Sequence, residues 1–275
     1  MQHSYSRARR IDARHLFLVA ALGLAACARG PVAPTPAPAH AAMQLFLLAG
    51  QSNMAGRGVV EDEDRVENAR IVMLDRMQVW KPAVDPVHFD KSIAGVGPGH
   101  SFALALANAD STIRIGLIPS AVGGSPISSW EPGALDAATR THPYDDAIER
   151  ARAAMKDGEL KAILWHQGES DANATAAPLY AERLRALIAR FRTVLGNPTL
   201  PFLIGQLGRF DGNPWDAPRT EVDSVQRALA TEIPNVAFVS SEGLKDKGDN
   251  THFTAAAARE LGRRYADAYL RLVPH

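Results

Sequence analysis

Leu45-Phe46-Leu47-Leu48-Ala49-Gly50-Gln51-Ser52-Asn53-Met54-Ala55-Gly56 begins as an unbroken apolar run and ends in a polar, glycine-flanked turn. A run without a polar face is what a strand covered on both sides requires. Gly50 permits a sharp turn, and Ser52 follows at the strand tip. A serine placed there commonly caps a helix or a turn. The other end of the chain supplies a second reading. Asp249-Asn250-Thr251-His252 leads into the last helical stretch, with the carboxylate and the imidazole three residues apart in a turn containing Gly248. A hydroxyl attacks a carbonyl only while an imidazole takes its proton and a carboxylate fixes the imidazole tautomer. Ser52, His252 and Asp249 together point to a serine hydrolase.

Between these ends, apolar runs alternate with amphipathic stretches. The expected strands are Met43–Ala49, Ile113–Pro119, Leu160–Trp165, Pro201–Leu207 and Val236–Ser240. The expected helices are His100–Asn108, Pro143–Lys156, Ala177–Leu195, Glu221–Glu232 and Thr254–Leu272. In the last of these, Leu261, Tyr265, Ala268, Tyr269 and Leu272 share a face at helical spacing, while Arg259, Arg263 and Arg264 lie off it. Strand followed by helix, repeated, predicts an α/β fold: a three-layer α/β/α sandwich around a mostly parallel, five-stranded sheet. Ligands in such sheets bind beyond the carboxyl ends of the strands, where the polar motifs fall.

Two further motifs follow expected strands. Gly123-Gly124-Ser125-Pro126 follows the second; paired glycines let backbone N–H groups approach a ligand, as an oxyanion hole requires, and also suit a plain turn. Trp165-His166-Gln167-Gly168-Glu169-Ser170-Asp171 ends the third. Its Gln167 amide is a candidate oxyanion donor, while Glu169 and Asp171 read as supporting residues. Ser125 and Ser170 are rival nucleophiles by position, but no Gly-x-Ser-x-Gly elbow occurs. Trp130 is a candidate for stacking on a sugar ring or for packing; Trp80 and Trp215 are weaker ones. The stretch Glu61 to Asp64 reads as a solvated acidic loop. No HExxH, paired CxxC or phosphate-loop pattern is present, so no metal or nucleotide cofactor is expected.

The chain has 275 residues, no net formal charge, 46% hydrophobic residues and one cysteine. The neutral balance gives no support for nucleic-acid binding. At the start, Arg7, Arg9, Arg10 and Arg14 precede an apolar run from Leu16 to Ala26, too short to span a bilayer. Residues 1–27 therefore read as a secretory signal. Leu24-Ala25-Ala26-Cys27 resembles the lipobox of bacterial lipoproteins, with Cys27 the lipidated residue; ordinary cleavage beside Cys27 is the alternative. Residues 28–42 are rich in Pro and Ala and read as an extended tether. The expected product is an exported protein held by a lipid anchor, at the outer membrane since Ala28 is not aspartate, or else a soluble secreted one. Residues 43–275 form the one catalytic domain.

Taken together, these motifs resemble the SGNH (GDSL-type) hydrolase superfamily, within it the sialate O-acetylesterase and acetylxylan esterase-like branch of carbohydrate esterase family 6. The match rests on Leu48 to Gly56, Gly123 to Ile127 with Trp130, Trp165 to Ser170, Gly243-Leu244, Asp249 to Phe253 and Glu260 to Ala266. Gln-Ser-Asn replaces Asp-Ser at the nucleophile, and Gln167 stands where many members carry Asn; both fit this branch. His100 and His166 depart from its pattern. The resemblance implies a flavodoxin-like sheet, Ser52 as nucleophile, His252 as base and Asp249 as its orienter. It implies oxyanion donors in the Ser52 and Gly124 N–H groups and the Gln167 side chain. Gln51, Asn53, Trp130 and Glu169 are the expected substrate contacts, and an acetylated carbohydrate is the expected substrate. Two alternatives stay open: an SGNH esterase for lipid or peptidoglycan acetyl groups, and a non-catalytic carbohydrate-binding lipoprotein.

Overall fold

Seven strands, β1 (Met43–Gly50), β2 (Ile71–Leu74), β3 (Trp80–Pro82), β4 (Ile115–Pro119), β5 (Gly158–His166), β6 (Phe202–Gly205) and β7 (Val236–Val239), share one sheet in a computed structural model describing residues 42–273. The signal, Cys27 and all of the tether before Ala42 lie outside the described residues. The sheet order is β3-β2-β4-β1-β5-β6-β7, parallel throughout except that β3 runs antiparallel to β2.

The expected five strands are all present; β2 and β3 correct the count to seven. Both are short and add to the sheet beyond β4, where four and three residues carry too little periodicity to announce a strand. Pro82, which has no N–H to give, is tolerated because β3 is an edge strand.

Strand β1 sits centrally, and none of Leu45 to Ala49 is exposed. Its side chains alternate between two cores. Leu45, Leu47 and Ala49 pack with Ile163, Trp165 and Ile204 beneath α3 (Pro143–Ala154), α4 (Ala177–Val194) and α5 (Ala217–Glu232). Phe46 and Leu48 face the other way, joining Leu117, Leu164 and Leu203 beneath α2 (Pro98–Ala109) and α6 (Ala255–Leu272). Every one of those strand positions needs an apolar side chain, so the runs look continuous rather than alternating. Phe46 anchors one core through edge-on contacts with Phe102 and Tyr269, at ring separations of 4.9 and 5.3 Å, a favoured aromatic arrangement. On α6, Leu261, Tyr265, Ala268 and Tyr269 are buried as their spacing predicts.

One charged stretch behaves differently from its sequence reading. Asp64 is 2% exposed, and Arg259 of α6 reaches both its oxygens, at 2.8 and 2.9 Å. Both contacts come from Nη1, while Nη2 reaches Glu61 and Glu63 at 2.6 and 2.9 Å, so the Glu61 to Asp64 stretch is docked on α6 rather than fully solvated.

Candidate active site

The turn after β1 brings Ser52 to the carboxyl end of the sheet. Gly50 has φ 126°, and a Cβ there would overlap the His166 carbonyl of neighbouring β5; only glycine allows the strand to turn so close to its neighbour. The Gln51 N–H donates to that carbonyl at 2.8 Å, and the Val122 N–H donates to the Gly50 carbonyl at 2.9 Å. The loop after β4 and the end of β5 thus fix the turn from both sides. Ser52 then opens the one-turn helix α1 (Ser52–Ala55) and is 6% exposed.

From the far end of the chain, the loop after β7 carries His252 to this point. The Ser52 hydroxyl donates to His252 Nε2 at 3.0 Å. His252 Nδ1–H donates to Asp249 Oδ2 at 2.8 Å. Asp249 Oδ1 accepts the backbone N–H groups of His252 and Thr251 at 2.8 and 3.0 Å. Burial works against the charge of Asp249, but these N–H groups and the imidazole outweigh it and pull its carboxyl down to about 2. The Lys247 ammonium lies 3.6 Å from the same carboxylate. An ionised acceptor fixed from three sides leaves Nε2 as the basic nitrogen facing Ser52.

The Gly123–Gly124 loop follows directly on Val122, whose bond to Gly50 ties it to the turn that carries Ser52. Asp90 Oδ2 accepts the Gly123 N–H at 2.9 Å and an Arg57 Nη2 proton at 2.7 Å, so Gly123 is committed to the scaffold. Gly124, at φ 85°, has its carbonyl held by the Ser170 hydroxyl at 3.0 Å. Among the described residues, no backbone or side-chain acceptor takes the Ser52 or Gly124 N–H. These two donors remain available to a developing oxyanion. Neither Asp90 nor Arg57 was marked by any local motif, since the contact between them spans 33 residues.

Several expected roles are corrected by burial and hydrogen bonding. Gln167 is 0% exposed, and its Nε2 faces Asp171 Oδ2 at 2.5 Å, Gln51 Oε1 at 3.2 Å and the Ser125 carbonyl at 3.2 Å. Two amide protons shared among three acceptors leave none for an oxyanion. Gln167 is therefore a strut beneath the Gly123–Gly124 loop. Trp130 is 0% exposed, packs edge-on against Trp165 at 4.9 Å and donates its indole N–H to Ser125 Oγ at 3.0 Å, so it offers no face to a sugar. Gln51, 2% exposed, uses Oε1 to receive Gln167. Asn53 is 3% exposed, and its Nδ2 donates to Glu169 Oε1 at 2.6 Å; both point inward and not toward a substrate. The rival nucleophiles have no histidine partner: Ser125 Oγ donates to the Val122 carbonyl, and Ser170 Oγ to that of Gly124. His166 and His100 are buried, beside Glu169 and Asp85 respectively. Among the described residues, no group of three or more His, Cys, Asp or Glu side chains is arranged to hold a metal ion.

Residues 42–271 match the family model described as carbohydrate esterase, sialic acid-specific acetylesterase. An Arabidopsis thaliana protein named as a probable carbohydrate esterase is 36% identical over 263 residues, covering 87% of this chain and 94% of the relative. An X-ray structure of an Arabidopsis thaliana protein superposes with a TM-score of 0.74 at 34% identity, covering 84% of this chain and 98% of that one. A carbohydrate acetylesterase from Xanthomonas citri has the same fold at 24% identity, with a TM-score of 0.64 over 83% of this chain and 56% of that one.

Proposed function

Because the chain belongs to the sialic acid-specific acetylesterase family of carbohydrate esterases, and is thereby a carboxylic ester hydrolase, we propose that it removes O-acetyl groups from sugars through an acetyl-serine intermediate. The observation carrying this reading is the unbroken series from the Ser52 hydroxyl through His252 to Asp249, at 3.0 and 2.8 Å. Ser52 Oγ attacks the acetyl carbonyl while its proton passes to His252 Nε2. Asp249 stabilises the resulting imidazolium, and the Ser52 and Gly124 N–H groups receive the oxyanion. The carbon–oxygen bond to the sugar then breaks, and His252 returns the proton to the departing hydroxyl. Water repeats the sequence: His252 takes its proton, the hydroxide equivalent attacks the acetyl-serine, acetate leaves, and Ser52 regains its hydrogen.

For the sugar, Lys91 favours an acidic, sialate-type substrate over neutral acetylxylan. Its ammonium lies 3.9 Å from the position a Cβ would occupy on Gly124 and makes no ion pair with a described residue. A carboxylate on the substrate would supply that partner. Acetate release from O-acetylated sialic acid, acetylxylan and acetylated peptidoglycan by wild type, Ser52→Ala and Lys91→Ala tests both parts. Ser52→Ala should lose at least about 10³-fold in turnover on every substrate; retained turnover would overturn the nucleophile. Lys91→Ala should raise KM severalfold on the acidic sugar alone; an equal effect on xylan would overturn the selectivity. We further propose that the protein is exported and anchored through Cys27, on the basic and apolar segments that precede this cysteine.

A further inference from the structure

Asn53 follows the Ser52 nucleophile directly in α1, yet its carboxamide binds the loop that carries the base. Nδ2 donates to the Thr251 carbonyl at 3.0 Å, and Oδ1 accepts the Phe253 N–H at 3.3 Å. These are the two chain neighbours of His252. The second Nδ2 proton goes to Glu169 Oε1 at 2.6 Å. Each partner accepts only or donates only, so the amide can sit in one orientation. The Glu169 side chain is 11% exposed, beneath the site, with the His166 ring 3.6 Å away.

We propose that Glu169 and Asn53 form a clamp that positions the His252 base against Ser52, an inference resting on the reading of these two as the reacting pair. The need for it lies in where the base is carried. His252 and Asp249 have side-chain exposures of 22% and 39%, and Lys247 to Asn250 form an exposed stretch of the same loop. Asp249 belongs to that loop, so it orients the imidazole within the loop but cannot hold the loop to the nucleophile. The Asn53 amide does so: it ties the backbone on both sides of His252 to the helix that carries Ser52. Glu169 anchors the amide by a short, charge-assisted bond. Burial alone raises the Glu169 carboxyl, but the His166 ring and the Asn53 amide outweigh it and hold the carboxyl below the usual range, in the anionic form the bond needs. A displacement of about 1 Å between reacting groups can cost on the order of 10² in rate.

The test uses steady-state hydrolysis of 4-nitrophenyl acetate, the rate of Ser52 labelling by a fluorophosphonate, and circular-dichroism melts to establish folding. Asn53→Ala should lower kcat by about 10²-fold with KM within about twofold, because the positioning of the base is lost and not the binding of substrate. The labelling rate should fall in parallel. Asn53→Asp should be equally poor, since it faces Glu169 with a second carboxylate. Glu169→Gln, nearly isosteric, provides a folded variant should Asn53→Ala fail to fold, and should lower kcat by about tenfold. An unchanged kcat in Asn53→Ala or in Glu169→Gln, or a loss confined to KM, would overturn the clamp. Ser52→Ala assayed alongside separates the two inferences: activity retained there removes the reacting pair itself, whereas an inactive Ser52→Ala beside a fully active Asn53→Ala removes only the clamp.

Discussion

Asp249 shows how a half-exposed carboxylate can still hold a defined charge. Its carboxyl is pulled down to about 2, so it is ionised across any working range. With its folded value below the unfolded one near 3.8, its contribution to stability is fully present above that unfolded value and is lost as pH falls toward 2. At 39% side-chain exposure, solvent screening keeps that contribution small. Thermal melts of wild type and Asp249→Asn should therefore differ by a constant, modest amount above about pH 4 and converge below it; a gap that widens on acidification would reverse the sign. The effect on turnover should be far larger. Near neutral pH, Asp249→Asn should lose about 10²- to 10⁴-fold in kcat, because an amide no longer fixes the tautomer or supports the imidazolium. Steady-state kinetics checks this, and near-wild-type turnover would remove Asp249 from the site.

The elements differ in how plainly they announced themselves. Strands β1 and β4 to β7 are legible because burial on both faces demands unbroken apolar runs, and α6 because its apolar positions repeat at helical spacing. Strands β2 and β3 lack such a pattern, and what holds them lies far along the chain. Arg150 of α3 reaches across to donate to the Pro119 carbonyl at 2.9 Å, to that of Leu74 at 2.6 Å and to that of Asp75 at 3.0 Å, linking the ends of β4 and β2. Burial pulls its guanidinium down to about 10, still charged at neutral pH. Arg150→Met should cost about 2–3 kcal/mol by leaving these carbonyls without their donor. Denaturant unfolding should show this as a lowered midpoint with the slope preserved; an unchanged midpoint would mean that β2 and β4 hold their places without it.

Over the whole molecule, the proposed reacting groups are readable because Ser52 sits in a short motif at the end of β1 and His252 in another just before α6, and a doubly covered parallel sheet gathers the loops beyond its strand ends on one side. The hydroxyl and the imidazole stand 200 residues apart in the chain and 3.0 Å apart in the fold. What sequence did not reveal is which polar motif residues turn inward. Gln51, Asn53 and Gln167 read as groups offered to a substrate, and Glu169 as a support or a contact, yet bonds between residues 116 apart make them the frame behind the site. Trp130 was drawn into the core in the same way, by Trp165 and Ser125. The anchor is a matter for the full-length chain: Cys27→Ser should move the protein from the membrane fraction to the soluble one and abolish incorporation of labelled palmitate, whereas an unaltered distribution would leave no place for lipidation at Cys27. Site mapping by mass spectrometry after fluorophosphonate treatment bears most directly on the nucleophile. A single adduct on the peptide containing Ser52, lost in His252→Ala, is the predicted result; an adduct on Ser125 or Ser170, or no adduct on an active enzyme, would contradict it.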